Sequence, residues 1–410
     1  MISTRLGAAV LAAVAVLAAV PATATAAPQR EHWVDTWAAA PQSGHGGIPF
    51  IPDAKPFADQ TLREVVHPGT DGTRARVRLA NTFGEHPLVI GAARLAKRTS
   101  GSAVDTGSAR ALTFGGRQTI TVPVGAEVLS DPVDLRVSAG ADLAVDLYLP
   151  QDTGVPTQHF DARQTSYVAA GNQVGAANLT AASTTTSWFF LSDVEVSTQR
   201  PTEAVVAFGD SITDGTGSTV DANRRWPNYL ADRLAGRGLS VLDEGIAGNR
   251  LLHDIVGPNG LARFDRDVLA KPGARYAVVL IGINDIGLPG TADRPQEGIT
   301  VDQLVQGYQQ LVARGHEHGL RVYGATLTAI AGSGYDKPAN EAKRQQVNAW
   351  LRSTAGHRDG FDGVVDFDAA TRDAAQPSRI NPAFDSGDHL HPNDAGYRAM
   401  AQAIDTRWFR

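Results

Sequence analysis

The chain contains no cysteine. That absence excludes disulfides, a nucleophilic thiol and thiolate metal sites, so a protein of 410 residues must draw its stability from packing, which its size can supply. Neither sign of charge dominates. With 37 Lys and Arg against 43 Asp and Glu, the net charge of −6 leaves no electrostatic footprint for nucleic acid or an anionic membrane. Beyond the amino-terminal leader no stretch is apolar enough to span a bilayer, and neither an internal repeat nor a low-complexity segment is evident. What remains is an ordinary globular balance, 42% hydrophobic and 20% charged, long enough for two domains.

The first segment, "MISTRLGAAVLAAVAVLAAVPATATAAPQ", stands apart from that balance. Arg5 gives it a short positive start, the apolar run covers Leu6 to Val20, and Ala24-Thr25-Ala26 fits an A-x-A cleavage site. The run falls short of the roughly 20 residues a span needs and has no stop-transfer flank. Residues 1–26 are therefore expected to be a signal peptide, with the protein secreted, the mature chain starting near Ala27, and no stable membrane anchor.

Two periods follow. From about Trp33 to Val196 the pattern is short and alternating. "RARVRLAN" sets Ala75, Val77 and Leu79 on one face and Arg74, Arg76 and Arg78 on the other; "QTITVPV" and "ADLAVDLYLP" alternate in the same way, and turns such as "HPGTDGT" and "TFGGRQ" separate the runs. Strands at this spacing predict an all-β sandwich, jelly-roll-like, over 31–197. After "STQRPTEA" the period changes. "AVVAF", "SVLDE", "YAVVLIG", "RVYGATL" and "GVVDF" read as five apolar strands. Between them run helical faces: Trp226, Leu230 and Leu234; Leu304, Tyr308, Leu311 and Val312; Val347, Trp350 and Leu351; and Tyr397, Met400 and Ile404 after an N-cap at Asn393. Alternating β and α predicts an α/β domain with a parallel sheet over 203–410. The linker is short and not Ser/Thr/Pro-rich, so the halves are expected to pack together.

Ligands in open α/β sheets bind outside the carboxyl ends of the strands. There the chain places "GDSITDG" with Ser211, "EGIAGNR" with Gly248 and Asn249, "GINDIG" with Asn284 and Asp285, and "DSGDHLHPNDAG" with Asp388 and His391. Each type has a task in acyl transfer. Serine is a weak nucleophile that needs a base; His391 can accept its proton; Asp388, three residues earlier, can fix the tautomer of the imidazole. The oxyanion needs preorganised donors, here the backbone N–H of Ser211, the backbone N–H of Gly248 and the amide of Asn284. Ser211 is expected to open a helical turn, where free N–H groups favour negative charge. The sequence has no G-x-S-x-G elbow, since Thr213 stands at its second glycine, which argues against the α/β-hydrolase fold.

In order and spacing, "GDSITDG", the glycine of "GIAGNR", "GIND" and "DHLHP" resemble the four blocks of the SGNH, or GDSL-type, hydrolases over Val205 to Ile404. Ser211, Gly248, Asn284 and His391 match the residues that give the family its name, and Asp388 matches the acid of its D-x-x-H block. The resemblance implies a flavodoxin-like three-layer α/β/α hydrolase domain, no cofactor, and ester hydrolysis through an acyl-enzyme. The amino-terminal half resembles the β-sandwich that precedes some secreted members, including acetylesterases acting on plant polysaccharides.

Other readings attach to the same residues. Asp210 is expected to brace the loop by accepting N–H bonds, Asp214 to be a turn or cap residue, and Asp285 to be either catalytic or structural. His389, His391 and Asp388 could instead bind zinc, which would leave Ser211 and Asn284 unexplained. "HEH" at 316–318 reads as a solvated helix end. Trp33, Trp37 and "WFF" at 188–190 are expected in the core rather than stacked on sugars. The loops "VGPNGLARF", "TAIAGSGYDKP" and "ITDGTGSTVDANRRW" are expected to shape the pocket. The function expected is a secreted serine esterase of small acyl groups. Its substrate would be a small ester or acylated carbohydrate, with no nucleic-acid partner, acting as a monomer. The alternative is a carbohydrate-binding protein with an inactive hydrolase half.

Overall fold

Ala75, Val77 and Leu79 are fully buried and the arginines between them are not, so strand Arg74–Ala80 presents the amphipathic face its alternation predicts. The computed structural model describes residues 31–47, 51–289, 298–357 and 360–410; the leader expected over 1–26 lies outside them. Strand Arg74–Ala80 belongs to an antiparallel sheet ordered His32–Ala38, Leu191–Thr198, Arg74–Ala80, Glu127–Leu129. A second antiparallel sheet runs Ser183–Thr185, Ser166–Ala170, Gln60–Val66, Leu143–Leu149, Ala92–Ser100, Ala103–Val104. Val77 and Val194 of the first sheet share one apolar cluster with Leu62, Val145 and Leu147 of the second. Trp37, Trp188, Phe189 and Phe190 lie in this core, Trp37 edge-on to Trp188 at 4.8 Å, and Trp33 is half-buried beneath the Arg76 guanidinium.

Strand Leu143–Leu149 departs from expectation. It does not alternate between core and solvent: Ala144 and Asp146 are buried as well as Val145 and Leu147. Its outer face is covered by a small cluster of Ala96, Val104 and Ala144, and by Arg63, whose guanidinium grips Asp146 at 2.6 and 2.8 Å. The expected "QTITVPV" strand shortens to Ile120–Val122, paired with Leu88–Ile90.

All five apolar runs after residue 200 form strands of one parallel sheet, ordered Leu239–Gly245, Glu203–Gly209, Ala274–Leu280, Arg321–Ala325, Gly363–Val365. This is the 2-1-3-4-5 order, whose topological switch point falls between the first and third strands. Helix Trp226–Leu234 buries Trp226, Leu230 and Leu234 and packs on helix Asp394–Ala403. Asn393 caps the latter by accepting the Ala395 and Gly396 N–H groups. Helix Val301–Glu317 buries Leu304, Tyr308, Leu311 and Val312 and packs against helix Pro338–Thr354. It begins at Thr300 in a capping box with Gln303, which satisfies two otherwise orphaned donors. Among the described residues no helix is long and apolar enough to cross a membrane.

The β-rich half and the parallel sheet meet across buried charge. Arg76 and Arg78 bind Glu195, and Arg78 reaches Asp193 at 3.3 Å. Lys271, from the loop before the third parallel strand, binds Asp193 and also Glu244, the latter at 2.8 Å. Burial pushes the Glu244 carboxyl up to about 8 despite that lysine. Removing one partner from such a cluster strands the others. Lys271→Met should therefore cost about 3–5 kcal/mol, read as a lower urea midpoint at unchanged slope; an unchanged midpoint would show that the cluster relaxes without its lysine.

Candidate active site

Strand Glu203–Gly209 ends in a turn that only glycine fits at position 209. A Cβ there would lie 2.2 Å from Thr213 Oγ1 and 2.4 Å from the Leu280 carbonyl oxygen. The chain then enters a four-residue helical turn, Ser211–Asp214. Asp210 caps it, its carboxylate accepting the Ile212 N–H at 3.1 Å, which is the bracing role expected of it. Ser211 is thereby held at the carboxyl end of the first strand, beside the switch point.

His391 arrives from 180 residues away, and its Nε2 lies 2.8 Å from Ser211 Oγ. Its Nδ1 lies 2.5 Å from Asp388 Oδ2, while Asp388 Oδ1 accepts the backbone N–H groups of His391 and Leu390 at 2.8 and 2.9 Å. A carboxylate at Nδ1 places the imidazole proton there, leaving Nε2 free to accept from the serine hydroxyl. Partial burial pushes Asp388 up, but the hydrogen bond and charge of His391, with the two backbone donors, outweigh it and hold the carboxyl below its ordinary value. Asp388 thus stays ionised through the range in which an imidazole titrates.

Of the three expected oxyanion donors, Ser211 opens the helical turn after the first parallel strand, Gly248 follows the second and Asn284 the third. The N–H groups of Ser211 and Gly248 have no acceptor among the described residues. Gly248 takes a φ of +79°, a left-handed backbone that favours glycine. Asn284 sits in helix Ile283–Gly287, after the third parallel strand. Its Nδ2 donates to the Asn249 carbonyl at 2.9 Å, leaving one amide hydrogen uncommitted among the described residues. Tyr335, from the "TAIAGSGYDKP" loop, donates its hydroxyl to Asn284 Oδ1 at 2.7 Å and so fixes which way the amide points. Burial pushes the Tyr335 phenol above its ordinary value, which keeps it a donor.

Several polar residues prove structural. Asp285 accepts the Leu251 and Leu252 N–H groups at 2.7 and 3.0 Å and splints the chain beyond Gly248. Arg263, fully buried in the "VGPNGLARF" stretch, donates to the carbonyls of Gly209 and Glu244 and to Asn249 Oδ1. It ties the carboxyl ends of the first two strands together beneath the site. His389 turns to Asp385 at 2.5 Å, so the imidazoles of His389 and His391 are engaged by different carboxylates. Among the described residues no three His, Cys, Asp or Glu converge as a metal site. His316 and His318 remain at the exposed helix end, bound to Asp362 and to the Arg314 carbonyl.

Asp214 is a turn residue, as expected, the last of Ser211–Asp214, but it is also fully buried, with its carboxylate bound to His159 of the β-rich half and to the Ala247 N–H. Within "ITDGTGSTVDANRRW", Thr216 and Asp221 also bind the β-rich half rather than standing free to line a pocket. Tyr335, His159 and Arg263 carried no motif; only the positions of Tyr335 and Arg263 in loops expected to shape the pocket pointed toward them.

Two outcomes follow from this geometry. Tyr335→Phe removes the hydrogen bond that orients Asn284, worth about 1 kcal/mol. Ester hydrolysis should slow five- to tenfold in kcat with KM within about twofold, and an unchanged kcat would show that the amide is fixed without it. The second concerns Asp210, which burial pushes from 3.8 to about 7 against the pull of the Ile212 N–H. The unfolded chain ionises this group first, so the wild type loses stability as pH rises from about 4 to 7 and the loss levels off above. Asp210→Asn keeps the cap acceptor and removes that loss, a relative gain on the order of 4 kcal/mol at most. Urea melts at pH 4.5 and 8 should show a gap that widens with pH; a constant gap would contradict the assignment.

The GDSL-like Lipase/Acylhydrolase family model matches residues 207–399. No curated protein matches the chain. Among solved structures, a GDSL-like lipase from Bacteroides thetaiotaomicron is 20% identical, covering 49% of this chain and 85% of its own at a TM-score of 0.37. A carbohydrate acetylesterase from Sinorhizobium meliloti is 17% identical over 49% of this chain and 96% of its own, TM-score 0.39. An acetyl xylan esterase is 19% identical over 49% and 96%, TM-score 0.37. Residues 207–399 thus form a domain of the GDSL-like lipase/acylhydrolase family, whose members hydrolyse esters.

Proposed function

We propose that the protein is a secreted serine esterase that releases small acyl groups, with Ser211 as nucleophile, His391 as general base and acid, and Asp388 as the group that orients His391. The observation that carries the reading is the unbroken alignment Asp388–His391–Ser211, at 2.5 and 2.8 Å, beside uncommitted donors at Ser211, Gly248 and Asn284. In the first half-reaction His391 Nε2 takes the Ser211 proton as Oγ attacks the ester carbonyl. The resulting oxyanion is met by the N–H groups of Ser211 and Gly248 and the Asn284 amide. The imidazolium then protonates the leaving alkoxide. In the second, water attacks the acyl-enzyme with the same base, and the acid product leaves.

The flavodoxin-like strand order supports the three-layer reading of the domain, with 203–410 as the catalytic part and 31–197 as its β-sandwich companion. Export by a leader over 1–26 and a monomeric state belong to the same proposal. Esters of short acids, acetylated polysaccharide among them, are the substrate class to try first. An inactive, sugar-binding protein would have no need of so complete an alignment.

Ser211→Ala should reduce turnover of a short-chain aryl ester by roughly 10⁴-fold or more while the fold survives. His391→Ala should be nearly as damaging. Asn284→Ala should lower kcat about 10²–10³-fold, more than it raises KM. Run beside acetate release from acetylated xylan, an acyl-chain series on aryl esters should show highest kcat/KM at the shortest chains. A Ser211→Ala protein that hydrolyses at the wild-type rate would end the proposal.

A further inference from the structure

Asp214 closes the helical turn that Ser211 opens. One oxygen of its buried carboxylate accepts the Ala247 N–H at 3.0 Å, immediately before Gly248. The other faces His159 Nε2 at 3.1 Å. His159 lies in strand Thr157–His159 of the β-rich half, and its Nδ1 faces the Ala40 carbonyl at 3.0 Å. A carbonyl can only accept, so Nδ1 carries a proton; with a carboxylate at Nε2 the ring donates on both sides. One imidazolium in the β-rich half thus anchors one carboxylate, and that carboxylate joins the nucleophile turn to an oxyanion loop.

The anchor does not stand alone. Thr216 Oγ1 donates to Asp161 at 2.8 Å, the Asp221 N–H donates to the Arg163 carbonyl at 3.0 Å, and Thr165 donates to Asp221 through both N–H and hydroxyl. On its other side the same stretch reaches the histidine loop. Thr219 donates to Asp394 at 2.8 and 2.7 Å, and Tyr397 donates its hydroxyl to the Thr216 carbonyl at 2.6 Å. Residues 211–221 therefore run as a seam between 159–165 of the β-rich half and the chain that carries His391.

We propose that the β-rich half is a working part of the catalytic site, in which His159 acts through Asp214 as a positioning residue for both the Ser211 turn and the Gly248 N–H. The inference rests on the serine-esterase reading. Its physical basis is that a single helical turn has no intrinsic stability and must be held from outside. Asp210 holds its start, and Asp214, gripped by His159, holds its end. A displacement of about 1 Å at reacting groups can cost about 10²-fold in rate.

His159→Gln and Asp214→Asn test this, with Asp146→Asn as the control. The Arg63–Asp146 pair is equally buried, but its hydrogen bonds stay within the β-rich half. The first two variants should lose 10- to 100-fold in kcat with KM within about twofold. Their peptides spanning 211–218 and 244–250 should exchange amide hydrogen at least fivefold faster. Asp146→Asn should lower Tm yet leave kcat and those two peptides within about twofold of wild type. Folded His159→Gln and Asp214→Asn proteins with wild-type kcat and exchange overturn the proposal. Should either fail to fold, Thr216→Ala, which cuts only the Asp161 tie, must show the same split at two- to tenfold; no change there overturns it equally. Exchange needs no turnover, so an inactive wild type would count against the esterase reading and leave the positioning claim still decided by exchange.

Discussion

The hydrogen bond from Ser211 Oγ to His391 Nε2 spans 180 residues of sequence and 2.8 Å of space. Nothing local to either residue brings them together. The serine is delivered by the end of the first parallel strand, and the histidine by the chain just before helix Asp394–Ala403. Every other feature around them constrains one end or the other. Gly209 permits the tight exit from the strand, Asp210 caps the turn, and Asp388 grips both the ring and the backbone of His391.

The sheet order explains why the remaining groups converge. In a 2-1-3-4-5 arrangement the first and third strands are neighbours, and the connections leaving them depart in opposite directions. Ser211 follows the first strand and Asn284 the third, so the two stand at neighbouring strand ends. Gly248 follows the second strand, on the far side of the first. Arg263 binds the ends of the first two strands beneath this rim, and Asp285 splints the chain beyond Gly248. Buried charge is used here to fix loop geometry, with each carboxylate or guanidinium engaging backbone groups that would otherwise be unpaired.

Much of this was legible in the sequence because it is written locally. The period-four burial of Trp226, Leu230 and Leu234 and the alternation of Ala75, Val77 and Leu79 are short-range patterns. The candidate site was legible because Ser211, Gly248, Asn284, Asp388 and His391 each sit in a compact motif at a strand end. What escaped was written only in three dimensions. Asp214 and His159 are 55 residues apart, and neither stands in a pattern that distinguishes a buried ion pair from a solvated one. Tyr335 is an ordinary loop tyrosine until its hydroxyl meets Asn284. Strand Leu143–Leu149 misled because its polar position, Asp146, is buried by an arginine on a neighbouring strand.

The most direct test of the central claim is covalent. A fluorophosphonate that reacts with activated serine hydroxyls should label the protein once, and peptide mass spectrometry should place the adduct on Ser211. Labelling should vanish in Ser211→Ala and slow by orders of magnitude in His391→Ala, because the hydroxyl is unreactive without its base. A protein that takes up no label, or labels elsewhere, or labels as fast without the imidazole, would contradict the account.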